Sequence, residues 1–558
     1  MQIFFLLASV LLVVVITSIT VLCIRRLYFH PLSKYPGPFL ARVTDLYAAY
    51  HAWKGDIHVD MWRQHERYGP CVRYAPNRLN LNTTGALKDI YSGNTNFQKS
   101  PNYRVLRHGA ANTLTMVNRQ EHARRRRIVS QGLSDAALRS HEPTLLAHIK
   151  KCFALITDAD FPIQAQPQST EKEGQKGWTR SMNMSDWFNW LTFDIMGDVV
   201  FGIGYDLLAS PQNRIIPRAI EESNVRMSVL LQSPILIKIG RIDRFLFPKA
   251  IAARNQFLHF VSGLVRRVLG TECSLQTRTV VSALKSASDP VTGDALSMKE
   301  ILAESTTLCV AGADTTSTAL AATFFYLAST PRAYRRLQKD VRRAFASSDE
   351  IRSGPALSKL TYLRACIEEA LRMSPPAGSS LSREILTGDA TVDGRALPAG
   401  TEAGVPIYAI HHNAKYFPDP FEYRPERWLR SESGTTGPSV DDARAAFCPF
   451  SVGTRSCVGK GMAMIELSLT VAYAMYTLDF TLTSENDSLK GWGFSGEFPL
   501  ADHITGVPCL EASLENRPGS HPRQKKQYCS NGRIRYTEHL GPMAIISNRG
   551  KKKDRALW

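Results

Sequence analysis

The chain opens on an apolar run. Residues 3 to 24 are almost all hydrophobic, including Ile3, Phe4, Phe5, Leu6, Leu7, the block Val10 to Ile16, and Val21 to Ile24. In a helix, about 22 such residues span roughly 33 Å, enough to cross a bilayer. The pattern then breaks at His30-Pro31-Leu-Ser-Lys-Tyr35-Pro36-Gly37-Pro38. Those prolines forbid a continuous helix and predict a stiff, extended hinge. From residue 31 to about 506 the pattern reads as one large, mainly helical domain, with neither an internal repeat nor a long Gly/Ser linker. A long helix is predicted over roughly Met298 to Ser329, and a buried one from Gly461 to Leu478. Glu121 to Arg127 reads as a basic helix. Pro375-Pro376 ends another helix, after which an apolar-polar alternation leads to Arg383. Asp389 to Pro398, with Asp393-Gly394 at its centre, predicts a hairpin and therefore a small sheet. The expected fold is mainly α with small β-sheets, preceded by a single N-terminal transmembrane helix. Val507 to Thr537 is polar and has little periodicity of either kind, and the strand-like Gly541 to Ser547 follows it.

Charge gives the first helix a direction. No charge precedes it, and Arg25 and Arg26 follow directly. The positive-inside rule places the amino terminus in the lumen and everything after Arg26 in the cytosol. A cleaved signal peptide is the rival reading, but it wants a basic start and a small-residue cleavage site, and neither stands out. Sequons at Asn82, Asn183 and Asn486 are then expected to stay bare. The 558 residues carry a net charge of +18, which suits an anionic surface or an acidic partner. Nothing in the chain reads as a nucleic-acid module, and the run Arg124 to Arg127 reads as a solvated helix face. Ten cysteines without CxxC pairs suggest neither a zinc site nor a disulfide framework, the lack of CxxCH argues against covalent haem attachment, and a reducing compartment fits best.

The chemistry concentrates in Phe450-Ser-Val-Gly453-Thr-Arg455-Ser-Cys457-Val-Gly459. Here a cysteine sits in a glycine-punctuated loop that leads into the apolar helix at 461. Amide donors and a positive dipole end favour a thiolate at such a junction, which suits an axial sulfur ligand on haem iron. Gly453 and Gly459 would let the backbone approach a flat macrocycle. Arg455 can reach a haem carboxylate. Taken alone, a cysteine is more often structural; the Phe-Gly-Arg-Cys-Gly spacing argues otherwise. This segment resembles the haem loop of the cytochrome P-450 family, the haem-thiolate monooxygenases. Other matches follow in family order and cover most of residues 31 to 506.

The resemblance implies roles for several further residues. Cys457 would ligate the iron of haem b, beside Phe450. His122 and Arg126, four apart on one helical face, would hold a propionate; many family members have tryptophan where His122 stands. Arg383 resembles a second propionate-binding arginine, and the other arginines of the 124–127 run would face solvent or a redox partner. Ala311-Gly312-Ala-Asp314-Thr315-Thr316 lies within the long helix. Gly312 weakens a helix and threonines can bond the i−4 carbonyl, so a local groove is expected there. In the family, Asp314 would relay protons and Thr315 would hold the oxygen and its water. Glu369 and Arg372, adjacent on a helix, would form a structural triad with Arg427. Phe97 to Val117, with Tyr103, His108 and Leu114, falls where the family places a loop over the substrate.

Taken together these matches imply a membrane anchor at 1–28, a monooxygenase domain at 29–506 with its hinge at 30–38, and an extra segment at 507–537. That segment is either a translated intron or a natural surface loop, and 538–558 forms a closing strand and basic tail. Such an enzyme would oxidise a small apolar organic substrate with O2. Its electrons would come from an NADPH-dependent flavoprotein reductase, with cytochrome b5 as a second donor. The style resembles filamentous-fungal members, many of which act in secondary metabolism on the endoplasmic reticulum membrane. The alternatives are a rearranging or dehydrating family member and a catalytically impaired haem-binding protein.

Overall fold

The computed structural model describes residues 1–93, 96–107, 109–158, 182–238, 242–270, 279–429 and 439–482. The expected extra segment, the closing strand, Asn486 and His108 lie outside these residues.

Helix α1, Gln2–Ile24, continues as a π-helical turn to Phe29; it is long and apolar enough to cross a membrane, and none of it is buried in the fold. The hinge differs from expectation. His30 to Lys34 form a turn, and only Pro36 to Pro38 are extended. Leu32 is fully buried, and the Arg73 amide donates to the Pro36 carbonyl (2.7 Å). A Cβ on Gly37 would come within 2.3 Å of the Arg73 carbonyl oxygen. Glycine at 37 therefore lets the hinge dock against the sheet.

The sheet strands are β1 (Cys71–Ala75), β2 (Arg78–Leu81), β3 (Phe97–Lys99), β4 (Arg383–Ile385), β5 (Ala390–Val392), β6 (Arg395–Leu397) and β7 (Glu402–Gly404). Five of them form one sheet in the order β1-β2-β7-β4-β3. Only β2 and β7 run parallel. The register sets Lys99 opposite Arg383. β5 and β6 form the expected hairpin, with Asp393 and Gly394 both at positive φ (49° and 75°), as a two-residue hairpin turn requires.

The helices used below are α2 (Arg119–Gln131), α3 (Asp135–Thr157), α4 (Met184–Phe201), α5 (Ile215–Gln232), α6 (Pro248–Gly270), α7 (Met298–Ser329), α8 (Thr361–Met373) and α9 (Lys460–Thr477). α7 begins at a capping box, in which Ser297 and Glu300 satisfy each other's free groups. It runs unbroken through the middle of the domain, packed chiefly on α4 and also on α8 and α9. The main apolar core lies among α3, α4, α7, α8 and α9, and a second core lies beneath the sheet. Asn183 and Asn82 are both buried, and Asn183 caps α4 by accepting from the Ser185 amide (3.0 Å). Neither could carry a glycan without local unfolding, whichever side of a membrane it faced.

Candidate active site

The loop before α9 is held by its own backbone. The Cys457 amide donates to the Phe450 carbonyl (2.9 Å), and the Ser456 amide donates to the Gly453 carbonyl (3.0 Å). Gly453 has φ +75°, and a Cβ there would sit 1.8 Å from the Tyr91 carbonyl oxygen. Its glycine requirement thus comes from the close approach of the Tyr91 carbonyl. Gly459 lies on the wall of an internal cavity of about 800 Å³, beside Phe450, Arg455 and Cys457. The Cys457 side chain is exposed, and what it is exposed to is this cavity. Burial pushes its thiol pKa up. The amides of Gly459 and Lys460 and the Arg126 guanidinium oppose that shift by favouring the thiolate. Cys448 differs: it is buried outside the cavity, where desolvation pushes its thiol up to about 12.

α7 also lines the cavity. Thr315 lies on the wall and donates its hydroxyl to the Ala311 carbonyl (2.7 Å). Despite this bond the helix stays continuous. Gly312 serves packing, since a Cβ there would lie 2.6 Å from the Met196 methyl on α4. Asp314, about 100° further round the helix, is not on the cavity wall. It is almost fully buried, and neither carboxyl oxygen has a hydrogen-bond partner. Desolvation, then the Glu221 carboxyl, hold its pKa well above the usual carboxylate range.

A set of cations converges on the other side of the cysteine loop. Arg455 and Arg383 line the cavity, as does Lys99. His122 is buried close by. Desolvation, followed by the charges of Arg455, Lys99, Arg126 and Arg383, pushes it down to about 3, so its imidazole is neutral. Arg126 donates to the Ser456 carbonyl (2.6 Å), and Arg455 donates to the carbonyls of Met116 and Val117 (2.7 and 2.8 Å). Arg383 donates to the Leu381 carbonyl (3.1 Å) and lies over the Tyr91 ring. Lys99 donates to the Leu114 carbonyl (2.5 Å). Among the described residues none of these cations has a carboxylate partner. Burying so much positive charge is costly unless an anion shares the space. A cysteine flanked by two backbone amides and a guanidinium, and a patch suited to two carboxylates, opening on one cavity, fit haem.

Within the rest of the basic run, Arg125 departs from the expected solvated face, while Arg127 keeps solvent contact and Arg124 is part-exposed. Arg125 is buried and pairs with Glu300 and Glu304, while Arg127 grips Asp289 through two bonds (2.6 and 2.7 Å). Arg124 lies near Glu121 and Glu300. Four consecutive arginines on a helix point in four directions, and three of these meet acids from the chain between Asp289 and Glu304 or from the same helix.

Glu369, Arg372 and Arg427 come together behind the site. Glu369 and Arg372 are fully buried and form a bidentate pair (2.9 Å for each bond). Arg427 reaches the same carboxylate at 2.8 Å, and Trp428 Nε1 and the Arg424 amide complete its shell (3.0 Å each). Every oxygen lone pair is used, the condition under which a buried ion cluster is tolerated.

Three residues went unnoticed in the sequence. Lys99 had no local signal, since its place depends on pairing with β4. Glu304 fastens the loop over the cavity by accepting from the Thr113 amide and hydroxyl (2.7 and 3.0 Å), while Asn112 donates to the Thr307 hydroxyl (2.5 Å). Glu466 lines the cavity with both oxygens unpartnered, and burial pushes it up to about 8. It was legible in principle, as the lone acid in the apolar stretch from 461 to 478.

These features define a haem-thiolate oxygenase site. The cytochrome P450 family model matches residues 34–496, and the chain belongs to that family. It is 46% identical over 486 residues to the cytochrome P450 monooxygenase poxM of Penicillium oxalicum, covering 87% of this chain and 90% of that protein. To the monooxygenase atnE of Emericella nidulans it is 45% identical, over 88% of this chain and 93% of the relative. To AKT7 of Alternaria alternata it is 43% identical, over 91% and 97%.

Proposed function

We propose that this chain is a membrane-anchored haem-thiolate monooxygenase that inserts one oxygen atom from O2 into an apolar organic substrate, in fungal secondary metabolism. The observation that carries this reading is the pairing, in one cavity, of the loop cysteine, its sulfur flanked by the Gly459 and Lys460 amides and Arg126, with cations that lack carboxylate partners among the described residues. Cys457 would ligate the haem iron. Arg126, Arg383, Arg455 and His122 would hold the propionates, with Lys99 added to that set. The bound haem supplies O2 activation and one-electron chemistry. The chain's own residues orient the substrate and manage protons. The Thr315 hydroxyl, within reach of the Ala311 carbonyl, can turn between that acceptor and the cavity. Asp314, its pKa raised by burial and by Glu221 and its side chain off the cavity wall, passes protons toward Thr315 from the α5 side. The predominantly apolar wall excludes bulk water. Electrons come from an NADPH-dependent flavoprotein reductase, with cytochrome b5 as a second donor, and the anchor with Arg25 and Arg26 supports a cytosolic domain on the endoplasmic reticulum.

The test is spectroscopic. The reduced carbonyl complex should show the strongly red-shifted Soret band of thiolate ligation. Cys457→Ala should abolish the band and Cys448→Ala should keep it. A Cys457→Ala protein that retains the band overturns the assignment.

A further inference from the structure

Behind the cysteine loop lies His411, fully buried at the end of the short helix Ile407–His411. Its ring is nearly parallel to that of Phe447, with 26° between the planes and centroids 5.4 Å apart. The Cys448 amide donates to Nε2 (2.9 Å). A backbone amide can only donate, so Nε2 holds the lone pair and Nδ1 carries the proton. Nδ1–H then donates to the Arg372 carbonyl (3.2 Å). Desolvation, followed by the charge of Arg372, pushes His411 down to about 3, so the ring is neutral and keeps this arrangement.

Local structure cannot serve either of these backbone groups. The Arg372 carbonyl lies in the last turn of α8, and its intrahelical donor would be the amide of residue 376, which is a proline. Cys448 is buried just past the helix Val440–Ala446, where its amide has left the helical ladder. One group needs a donor and the other an acceptor, which is what a neutral imidazole offers. The joint is reciprocal, because Arg372 Nη1 donates to the His411 carbonyl (2.9 Å) while the same guanidinium grips Glu369.

From Cys448 the constraint runs on to the sulfur ligand. The Cys448 carbonyl accepts from the Ser451 amide (2.9 Å) and closes a tight turn in which Ser451 has φ +57°. A serine holds such a conformation only where its surroundings fix it. The same turn presents the Phe450 carbonyl to the Cys457 amide.

We propose that His411 positions the haem ligand, by tying the Cys448 end of the cysteine loop to the buried Glu369–Arg372–Arg427 cluster. The proposal rests on the haem-thiolate reading and adds a residue to it. His411 is not on the cavity wall and acts only through the backbone at Cys448. Its bond to Arg372 holds the ring in place.

Two substitutions divide the bridge. His411→Gln puts an amide oxygen where Nε2 stands, so Cys448 keeps an acceptor and the Arg372 carbonyl loses its donor. His411→Asn keeps a donor near Nδ1 and leaves the Cys448 amide unpaired. Each removes one buried hydrogen bond, so a merely structural role predicts similar melting temperatures and similar spectra. The readout is the rate at which the red-shifted band of the reduced carbonyl complex converts to the unshifted form in full-length holoprotein. The Asn variant should convert at least about tenfold faster than the Gln variant, as expected for a buried donor left unpaired, and the Gln variant should stay near the wild-type rate. Equal rates in the two variants, or faster conversion with Gln, overturn the proposal. If either variant yields no holoprotein, hydrogen exchange of the wild type decides. The Cys448 amide should then exchange as slowly as the α8 amides around Arg372, and exchange more than about tenfold faster overturns the proposal. A wild-type band with indistinguishable variants removes the role of His411 and leaves the haem-thiolate reading standing. A wild type without that band overturns the haem-thiolate reading and this proposal with it.

Discussion

Glu466 is an acid in an apolar wall, and its consequence at the residue scale is a pH dependence. Its folded pKa, about 8, lies above the ordinary 4.5. Between those values the folded chain binds more protons than the unfolded chain, so this side chain costs stability as pH rises. Above about 8 the cost is constant. Glu466→Gln removes the titration. Its melting temperature should match the wild type near pH 5 and move progressively above it up to about pH 8; a gap that stays constant with pH would contradict the assignment. Thr315 is a different kind of residue, because its hydroxyl bonds a backbone carbonyl and faces the cavity. Thr315→Ala should leave haem content unchanged and lower the coupling of NADPH consumption to product roughly tenfold, the kinetic equivalent of one hydrogen bond of about 1.4 kcal/mol. Peroxide measured alongside product checks this, and unchanged coupling with the native substrate removes Thr315 from proton handling.

At the scale of elements, the joint between α2, α7 and the loop before α2 sets the shape of the chamber. Glu304 is buried on α7, receives the Thr113 amide and hydroxyl, and lies against buried Arg125. Glu304→Gln keeps the volume and removes the charge. Arg125 then keeps Glu300 as its ion partner and loses the inner one. The expected cost is about 2 kcal/mol, as for a hydrogen bond to a charged group. Amides of residues 109–117 should exchange faster in hydrogen-exchange measurements. Unchanged exchange there would show that the loop is held by Asn112 and Thr307 without Glu304. The same joint shows what a sequence can and cannot tell. The α7 boundaries, the Asp393-Gly394 hairpin and the cysteine loop were readable because each depends on local spacing or turn chemistry. The destinations of Arg125 and Arg127 were not, because consecutive helical side chains diverge by 100° and only the packed neighbours decide which are solvated. Lys99 and the glycine at 453 were hidden for the same reason: one is placed by a strand partner almost three hundred residues away, the other by the carbonyl of Tyr91.

For the whole molecule, the question is where the anchor ends and the folded domain begins. The sequence suggests a boundary after residue 28, but the contacts of Arg26 place it earlier. Arg26 donates to the Val43 carbonyl (2.6 Å), and its own carbonyl accepts from the buried Arg73 guanidinium (2.8 Å). Leu32 is fully enclosed. Removing residues 1–24 therefore takes away only exposed apolar surface, whereas removing 1–36 strips an acceptor from a buried arginine and a leucine from the core. The first truncation should keep the red-shifted carbonyl spectrum and the full-length melting temperature. The second should lose about 2–4 kcal/mol, from leucine burial plus an unsatisfied buried donor. Membrane behaviour should separate from stability. Phe39, Leu40, Trp53, Phe245 and Leu246 remain exposed without α1, so the shorter truncation should still adsorb to membranes. That adsorption is peripheral and should be released by alkaline carbonate, which leaves a spanning helix in place. Full-length protein that is itself released by carbonate would show that α1 does not span the bilayer. A 1–36 truncation as stable as the 1–24 form would show that the hinge contributes nothing to the domain it packs against.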